Sequence, residues 1–187
     1  MKIKKLVVGD LQENCYILII NNDAIIVDPG AQANKIISYI EDNKLNLLAI
    51  LITHAHFDHI GALDELLKQY NVLVFYNNVN NEINNCKNIK EKKYKVKDFK
   101  FEVIYTPGHR NDLVTYYFYE NNVMFTGDFL FFNSVGRTDL KYGDKYKMCD
   151  SILKIKKYND NIVIYPGHGA ITYLGYEKEN NYYFNKE

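Results

Sequence analysis

The stretch Thr53-His54-Ala55-His56-Phe57-Asp58-His59 decides how this chain is read. It follows LLAILI (47–52), a short continuous apolar run that predicts a buried strand. It precedes Leu63, Leu66 and Leu67, which recur at helical spacing. The cluster therefore sits where a strand hands over to a helix, and Gly61 eases the turn. In an extended loop, residues two apart point the same way, so His54 and His56 can bind one ion together. Asp58 and His59 come after the chain begins to turn and can face a second ion beside the first. Imidazole and carboxylate are the ligands of zinc, iron and manganese.

The remaining histidines repeat this placement. His109 ends Thr106-Pro107-Gly108-His109 and His168 ends Tyr165-Pro166-Gly167-His168. All three prolines stand in Pro-Gly steps, the third being Asp28-Pro29-Gly30. Asp128 follows Thr126-Gly127 in the same way. Predicted strands over 47–52, 99–105, 122–127 and 161–165 each carry a polar group just past their C-terminal end. If those ends share one edge, seven ligand-type side chains converge there: His54, His56, Asp58, His59, His109, Asp128 and His168. A two-metal site holds its ions roughly 3.5–4 Å apart and needs a bridging group, for which Asp128 is available. The absence of cysteine ligands argues against a purely structural zinc site.

Around these motifs, further strands are predicted over 6–8, 15–20, 24–28, 72–75 and 113–119. Helices are predicted around Ile36, Ile37 and Ile40 and over 151–158. Strands and helices alternate, yet hairpin-length links also occur, which predicts an α/β chain with a mixed sheet or two sheets flanked by helices. The Asn-rich stretch 77–88 reads as a surface excursion. Seven lysines against two acids lie within 87–100, where Tyr94, Val96, Phe99, Phe101 and Val103 alternate with charges. That alternation predicts a solvated strand face and not a nucleic-acid patch.

The length, 187 residues, suits a single domain spanning 1–187, and 47% apolar with 25% charged residues excludes disordered, collagen-like and membrane-bundle classes. Lys+Arg and Asp+Glu both number 23, so the net charge of zero speaks against a nucleic-acid partner. Cys15, Cys86 and Cys149 are odd in number and far apart, which predicts neither a disulfide framework nor a zinc ribbon. The first apolar run, 6–8, is too short for a signal peptide or membrane span, so a cytoplasmic protein without a membrane partner is expected. Against 21 lysines the chain has only Arg110 and Arg137, which makes the two arginines candidates for a specific task. Arg137 beside Gly136 can bind a substrate carboxylate with both arms of its guanidinium.

THAHFDH (53–59), TPGH (106–109), TGD (126–128) and YPGH (165–168), in that order, resemble the metallo-β-lactamase superfamily, as do VDPG (27–30) and GRTD (136–139). The resemblance covers nearly the whole chain. It implies a four-layer αββα sandwich with the metal site at one edge. It also implies two divalent metal ions, zinc foremost, with iron and manganese as alternatives. His54, His56 and His109 would hold the first; Asp58, His59 and His168 the second; Asp128 would bridge, and Asp28 would brace the histidine loop.

Within that superfamily, GDFLFFNSVGRTDL (127–140) is similar to the short glyoxalase II-like hydrolases. This implies a metal-dependent hydrolase, a thioesterase using a metal-bound hydroxide on a small-molecule thioester. Asp58 would orient the hydroxide or handle a proton, and Arg137 would hold the substrate. The alternatives are a mononuclear iron persulfide dioxygenase of the same fold and a non-catalytic metal-binding protein. Nineteen residues follow His168, so no C-terminal helical substrate domain is expected. Relatives tend to carry Thr-x-Gly where this chain has Arg110-Asn111-Asp112.

Overall fold

The computed structural model describes residues 1–185. One sheet runs in the order β1 (Lys2–Val8), β2 (Glu13–Ile20), β3 (Asp23–Val27), β4 (Asn46–Leu51), β5 (Leu73–Tyr76), β6 (Lys87–Asn88). The other contains β7 (Lys93–Val96), β8 (Phe99–Tyr105), β9 (Val114–Phe118), β10 (Val123–Gly127), β13 (Val163–Pro166) and β14 (Thr172–Tyr173), in the spatial order β14-β13-β10-β9-β8-β7. Between β10 and β13 in sequence, β11 (Leu130–Phe131) and β12 (Ser134–Val135) form a small ribbon. The helices are α1 (Ala33–Asp42), α2 (Phe57–Ile60), α3 (Leu63–Gln69), α4 (Lys145–Ile155), α5 (Leu174–Asn180) and α6 (Tyr182–Asn185).

Strand β2 shows why these elements stack. Its side chains alternate between two apolar environments, so the strand is buried on both faces. Cys15, Ile17 and Ile19 join Ile36 and Ile40 of α1 and Leu63 and Leu66 of α3 in one core. Tyr16 and Leu18 join Phe101, Val103, Tyr116 and Phe125 of the facing sheet in a second. A third core lies beyond that sheet, where Ile104, Met124 and Ile164 meet Met148, Ile152 and Ile155 of α4, Leu174 of α5 and Phe184 of α6. Three cores separate four layers, helices–sheet–sheet–helices, as the resemblance implied.

Strand direction then places the site. β3, β4 and β5 run parallel. In the other sheet β10 is parallel to β13, and β8 and β10 each pair antiparallel with the intervening β9, so β8, β10 and β13 share a direction. The two sheets are stitched where these strands end. Val114 N–H donates to Thr53 O (3.0 Å), Asn14 N–H to Gly167 O (2.7 Å), and Glu13 forms a bridge with His168.

The structure refines three sequence expectations. The last long helix starts at Lys145 and ends at Ile155, earlier than 151–158, because the Asp144 carboxylate accepts from the N–H groups of Tyr146 and Lys147 and fixes the N-terminus there. The lysine-rich stretch 87–100 divides between both sheets as β6, β7 and the start of β8. The 77–88 excursion is anchored: Asn78 Oδ1 accepts from Glu82 N–H (2.9 Å), and Asn77 and Ile83 are buried. Strands β11, β12 and β14 have two residues each, too few for any period to show.

Candidate metal centre

The ends of β3, β4, β8, β10 and β13 deliver Asp28, His54 with His56, His109, Asp128 and His168 to one edge, and α2 adds Asp58 and His59. The side chains gather in adjoining groups. His54, His56, His109 and Asp128 form one, and Asp58, His59 and His168 a second, with ligand atoms within 4.8 Å of one another in each. In the first, His56 Nδ1 lies 3.1 Å from His54 Nε2 and 2.9 Å from His109 Nε2. In the second, His168 Nε2 lies 3.2 Å from Asp58 Oδ2. Asp128 reaches both: Oδ2 is 3.6 Å from His109 Nε2, while Oδ1 is 3.2 Å from His59 Nε2 and 3.6 Å from His168 Nε2.

The opposite ring nitrogens are held from behind. His109 Nδ1 bonds to Arg137 O (2.7 Å), His168 Nδ1 to Leu11 O (3.1 Å), and His59 Nδ1 to Asp28 Oδ2 (3.0 Å). His54 Nδ1 meets Thr53 Oγ1 (3.1 Å), whose own hydroxyl donates to Asp28 Oδ2 (2.6 Å). Asp28 Oδ1 also takes the Thr53 N–H (2.7 Å). Such backing contacts fix ring orientation and leave Nε2 facing the centre. Asp28 thus braces both histidine positions from the end of β3.

Glycines permit this density. A Cβ on Gly30 would stand 1.7 Å from Asp58 O, so the VDPG loop can lie against α2 only without a side chain there. At Gly167 a Cβ would meet Asp128 Oδ1 at 2.5 Å and His59 Cε1 at 2.6 Å, inside the centre itself.

Charge suits cation binding. Burial, followed by the neighbouring His59 and His109, pushes His54 well below the ordinary imidazole range; burial and His109 bring His56 to about 4. Both rings are neutral at pH 7 and carry lone pairs. Burial opposes charge on Asp58, but the His168 hydrogen bond and His59 outweigh it and hold the carboxyl at about 2. Burial also opposes the charge on His59, yet Asp128 and Asp28 together raise it well above its usual value. His59 Nε2 and Asp128 Oδ1 are buried without a hydrogen-bond partner. Two orphaned ligand atoms among acceptors and neutral imidazoles are what a divalent cation would satisfy, so this donor set fits the expected ions.

Not every candidate joins the centre. Arg137 contributes its backbone carbonyl to His109, while its guanidinium is exposed and grips Asp139 through Nε (2.7 Å) and Nη2 (2.8 Å). Arg110 is buried in an ion-pair cluster with Asp112 (Nε to Oδ1, 2.8 Å) and Glu82, and its guanidinium lies 5.3 Å from the Tyr142 ring centroid. Asp112 Oδ2 accepts from Ala55 N–H (3.0 Å) and Tyr76 O–H (2.6 Å). The triplet that departs from Thr-x-Gly therefore grips the His54–His56 loop from outside the centre.

Glu13 escaped the sequence reading. It is buried at the start of β2, both carboxyl oxygens lack a hydrogen-bond partner, and Oε1 lies 3.9 Å from His59 Nδ1. Burial raises its pKa well above the carboxylate range. The only signal was an acid opening an otherwise apolar strand, ENCYILII.

The profile of the metallo-beta-lactamase superfamily matches residues 8–82 and 90–168, and the chain belongs to this superfamily. It is 33% identical to the probable metallo-hydrolase YqgX of Bacillus subtilis, over 99% of this chain and 98% of that protein. It is 32% identical to the hydroxyacylglutathione hydrolase GloC of Haemophilus influenzae, over the full length of both. Similar solved structures include the BLEG-1 B3 metallo-beta-lactamase (TM-score 0.89, 32% identity, 98% of this chain and 99% of that one). TTHA1623 in a di-iron-bound form matches at TM-score 0.89 and 29% identity, covering 96% and 99%. ETHE1 from Myxococcus xanthus matches at TM-score 0.91 and 26% identity, covering 100% and 86%.

Proposed function

We propose that this protein is a metal-dependent thioester hydrolase of glyoxalase II-like type, with two divalent ions, zinc foremost, held by His54, His56, His109 and Asp128 and by Asp58, His59, His168 and Asp128. The observation that carries the reading is Asp128, which turns one carboxylate oxygen toward each group. Ions held by these residues would supply Lewis-acid chemistry, an acidified water of pKa near about 7 and a polarised carbonyl. The full-length likeness to a hydroxyacylglutathione hydrolase supports thioesters over other esters and amides.

The chain's own groups have distinct tasks. Asp58 is ionised and partly exposed, so it would orient the attacking water. Arg137 stands at the rim, and a substrate carboxylate takes the place of Asp139 on its guanidinium. Residues 1–187 act as one catalytic domain, with α5 and α6 packed onto the sandwich. Cys15, Cys86 and Cys149 are free thiols, which suits a reducing cytoplasm. Among the described residues no helix is long and apolar enough to cross a membrane.

Elemental analysis coupled to a thioester panel tests this: about two ions per chain with hydrolysis that a chelator abolishes is expected. Hydrolysis surviving complete metal removal overturns it. A second reading, a mononuclear iron persulfide dioxygenase, draws on the likeness to ETHE1 and on the contact between Asp58 and His168, which can satisfy each other without an ion. One iron per chain with oxygen uptake would establish that reading instead.

A further inference from the structure

Behind His109 the surface opens into a groove of about 760 Å³, within the range of small-molecule sites. One wall is the segment 135–138, which leaves the β11–β12 ribbon at the end of β12; the floor is α4; the far end is α6. None of the seven predicted ligands lines it, so it is a separate depression. It nevertheless abuts the metal centre. The Arg137 carbonyl in its wall accepts from His109 Nδ1 at 2.7 Å, and Asp144, which caps α4, donates its N–H to Gly108 O at 2.8 Å.

The lining has two chemistries. Met148, Ile152 and Phe184 give an apolar floor, and Tyr146 and Leu153 stand 73% and 59% exposed along it. Arg137, Lys145 and Lys156 also line it, and among the described residues no aspartate or glutamate does. Lys145 and Lys156 are eleven residues apart, about 16 Å along the helix axis at the standard rise. Lys145 lies at the end beside the metal centre, 5.0 Å from the Tyr146 ring centroid. Lys156 lies at the other end and donates one ammonium N–H to Phe184 O (2.6 Å). A cation at each end of an apolar trough fits an extended, mostly apolar arm that ends in an anion.

We propose that this groove binds the thiol arm of the substrate, an extended, mostly apolar arm ending in a phosphate, which passes over Arg137 from the metal edge and runs along α4 toward Lys156. The proposal rests on the thioesterase reading for the word substrate, but the groove can be tested without turnover.

The chain has no tryptophan, so Tyr146→Trp puts a single reporter on the groove. Free 4′-phosphopantetheine should change its emission saturably, and pantothenol, which lacks both the thiol end and the anion, should bind at least about tenfold more weakly. Adding Lys156→Glu should weaken the phosphopantetheine response about tenfold and leave pantothenol unchanged. In kinetics on thioesters with one common acyl group, Lys156→Glu should raise KM for the phosphopantetheine thioester and leave kcat/KM for the N-acetylcysteamine thioester unaltered. Saturable binding with no thioester turned over would support the groove and retire the hydrolase reading. Absence of a saturable response, or equal affinity for both probes, would overturn the groove. So would a dimer in light scattering that Lys156→Glu dissociates, because a second copy would then be the occupant.

Discussion

Asp128 reaches both candidate ligand groups, its two oxygens facing different histidine sets. Asp128→Ala should reduce bound metal by about one ion and cut kcat by at least about a hundredfold while moving KM little. Unchanged metal content and rate would remove Asp128 from the bridge. Arg137 stands at the other extreme, exposed and already paired with Asp139. A guanidinium holding a carboxylate is worth about 1.5–3 kcal/mol, so Arg137→Ala should lower kcat/KM roughly tenfold or more for thioesters with a carboxylate in the thiol part. Neutral thioesters should lose little, and Arg137→Lys should recover only part because an ammonium cannot fork onto two oxygens. Equal losses on both substrates would mean that the residue acts through its carbonyl on His109 alone.

At the scale of elements, the grip of Asp112 on Ala55 couples the loop after β8 to the loop after β4. Asp112→Ala strands Arg110 in a buried site with Glu82 as its remaining carboxylate, and removes the acceptor of the Ala55 N–H. A loss of about 3 kcal/mol in unfolding free energy is expected, together with weaker metal binding, and Asp112→Asn should restore metal affinity more than stability. Calorimetry with metal titration checks this; intact metal affinity in Asp112→Ala would mean that the histidine loop holds its shape unaided. Elements also divide what the sequence could disclose. LLAILI and NIVIY were legible as short apolar runs, and the candidate ligands stood out because most of them follow such a run. The start of α4 was not, because Asp144 is an ordinary loop acid until its contacts are seen. Arg110 drew notice through scarcity, but its partner Glu82 lies 28 residues away inside the Asn-rich excursion, and no local pattern links them. Glu13 was hidden for the same reason: its neighbours His59 and Asp28 come from other elements.

Across the whole molecule, stability and metal are linked. A ligand that binds only the folded state at a thousandfold excess over Kd adds about 4 kcal/mol, which for a chain of this size raises Tm by roughly 8–16 °C. Chelation should therefore lower Tm by that order, and a Tm indifferent to chelation would contradict metal held by the folded chain. Protons compete for the same atoms. Despite burial, the charges of Asp128 and Asp28 raise the pKa of His59, and the Asp58 hydrogen bond with the charge of Asp128 raises that of His168, so the metal-free centre retains protons that an ion must expel. Metal affinity should fall as pH is lowered from about 8 to about 6, the sign set by proton release on binding. Titration at several pH values checks it, and an affinity that rises with acidity would refute it.

Each ligand group draws from both sheets: His54 and His56 follow β4 while His109 and Asp128 follow β8 and β10, and Asp58 and His59 oppose His168. An ion in either group would therefore be a rivet through the sandwich at one end, and the opposite end has no such fastening in this ligand set. Removing the rivets should loosen the molecule asymmetrically. In hydrogen–deuterium exchange, the amides of Thr53, Val114 and Gly167, which bond at the metal edge, should lose protection on chelation well before those of Ile17 and Leu18 in the middle of β2. Uniform loss along the strands would mean that the two sheets separate as one cooperative event. A graded loss would make the metal edge a hinge-pin, and the lifetime of the bound ions would set how often the sandwich opens.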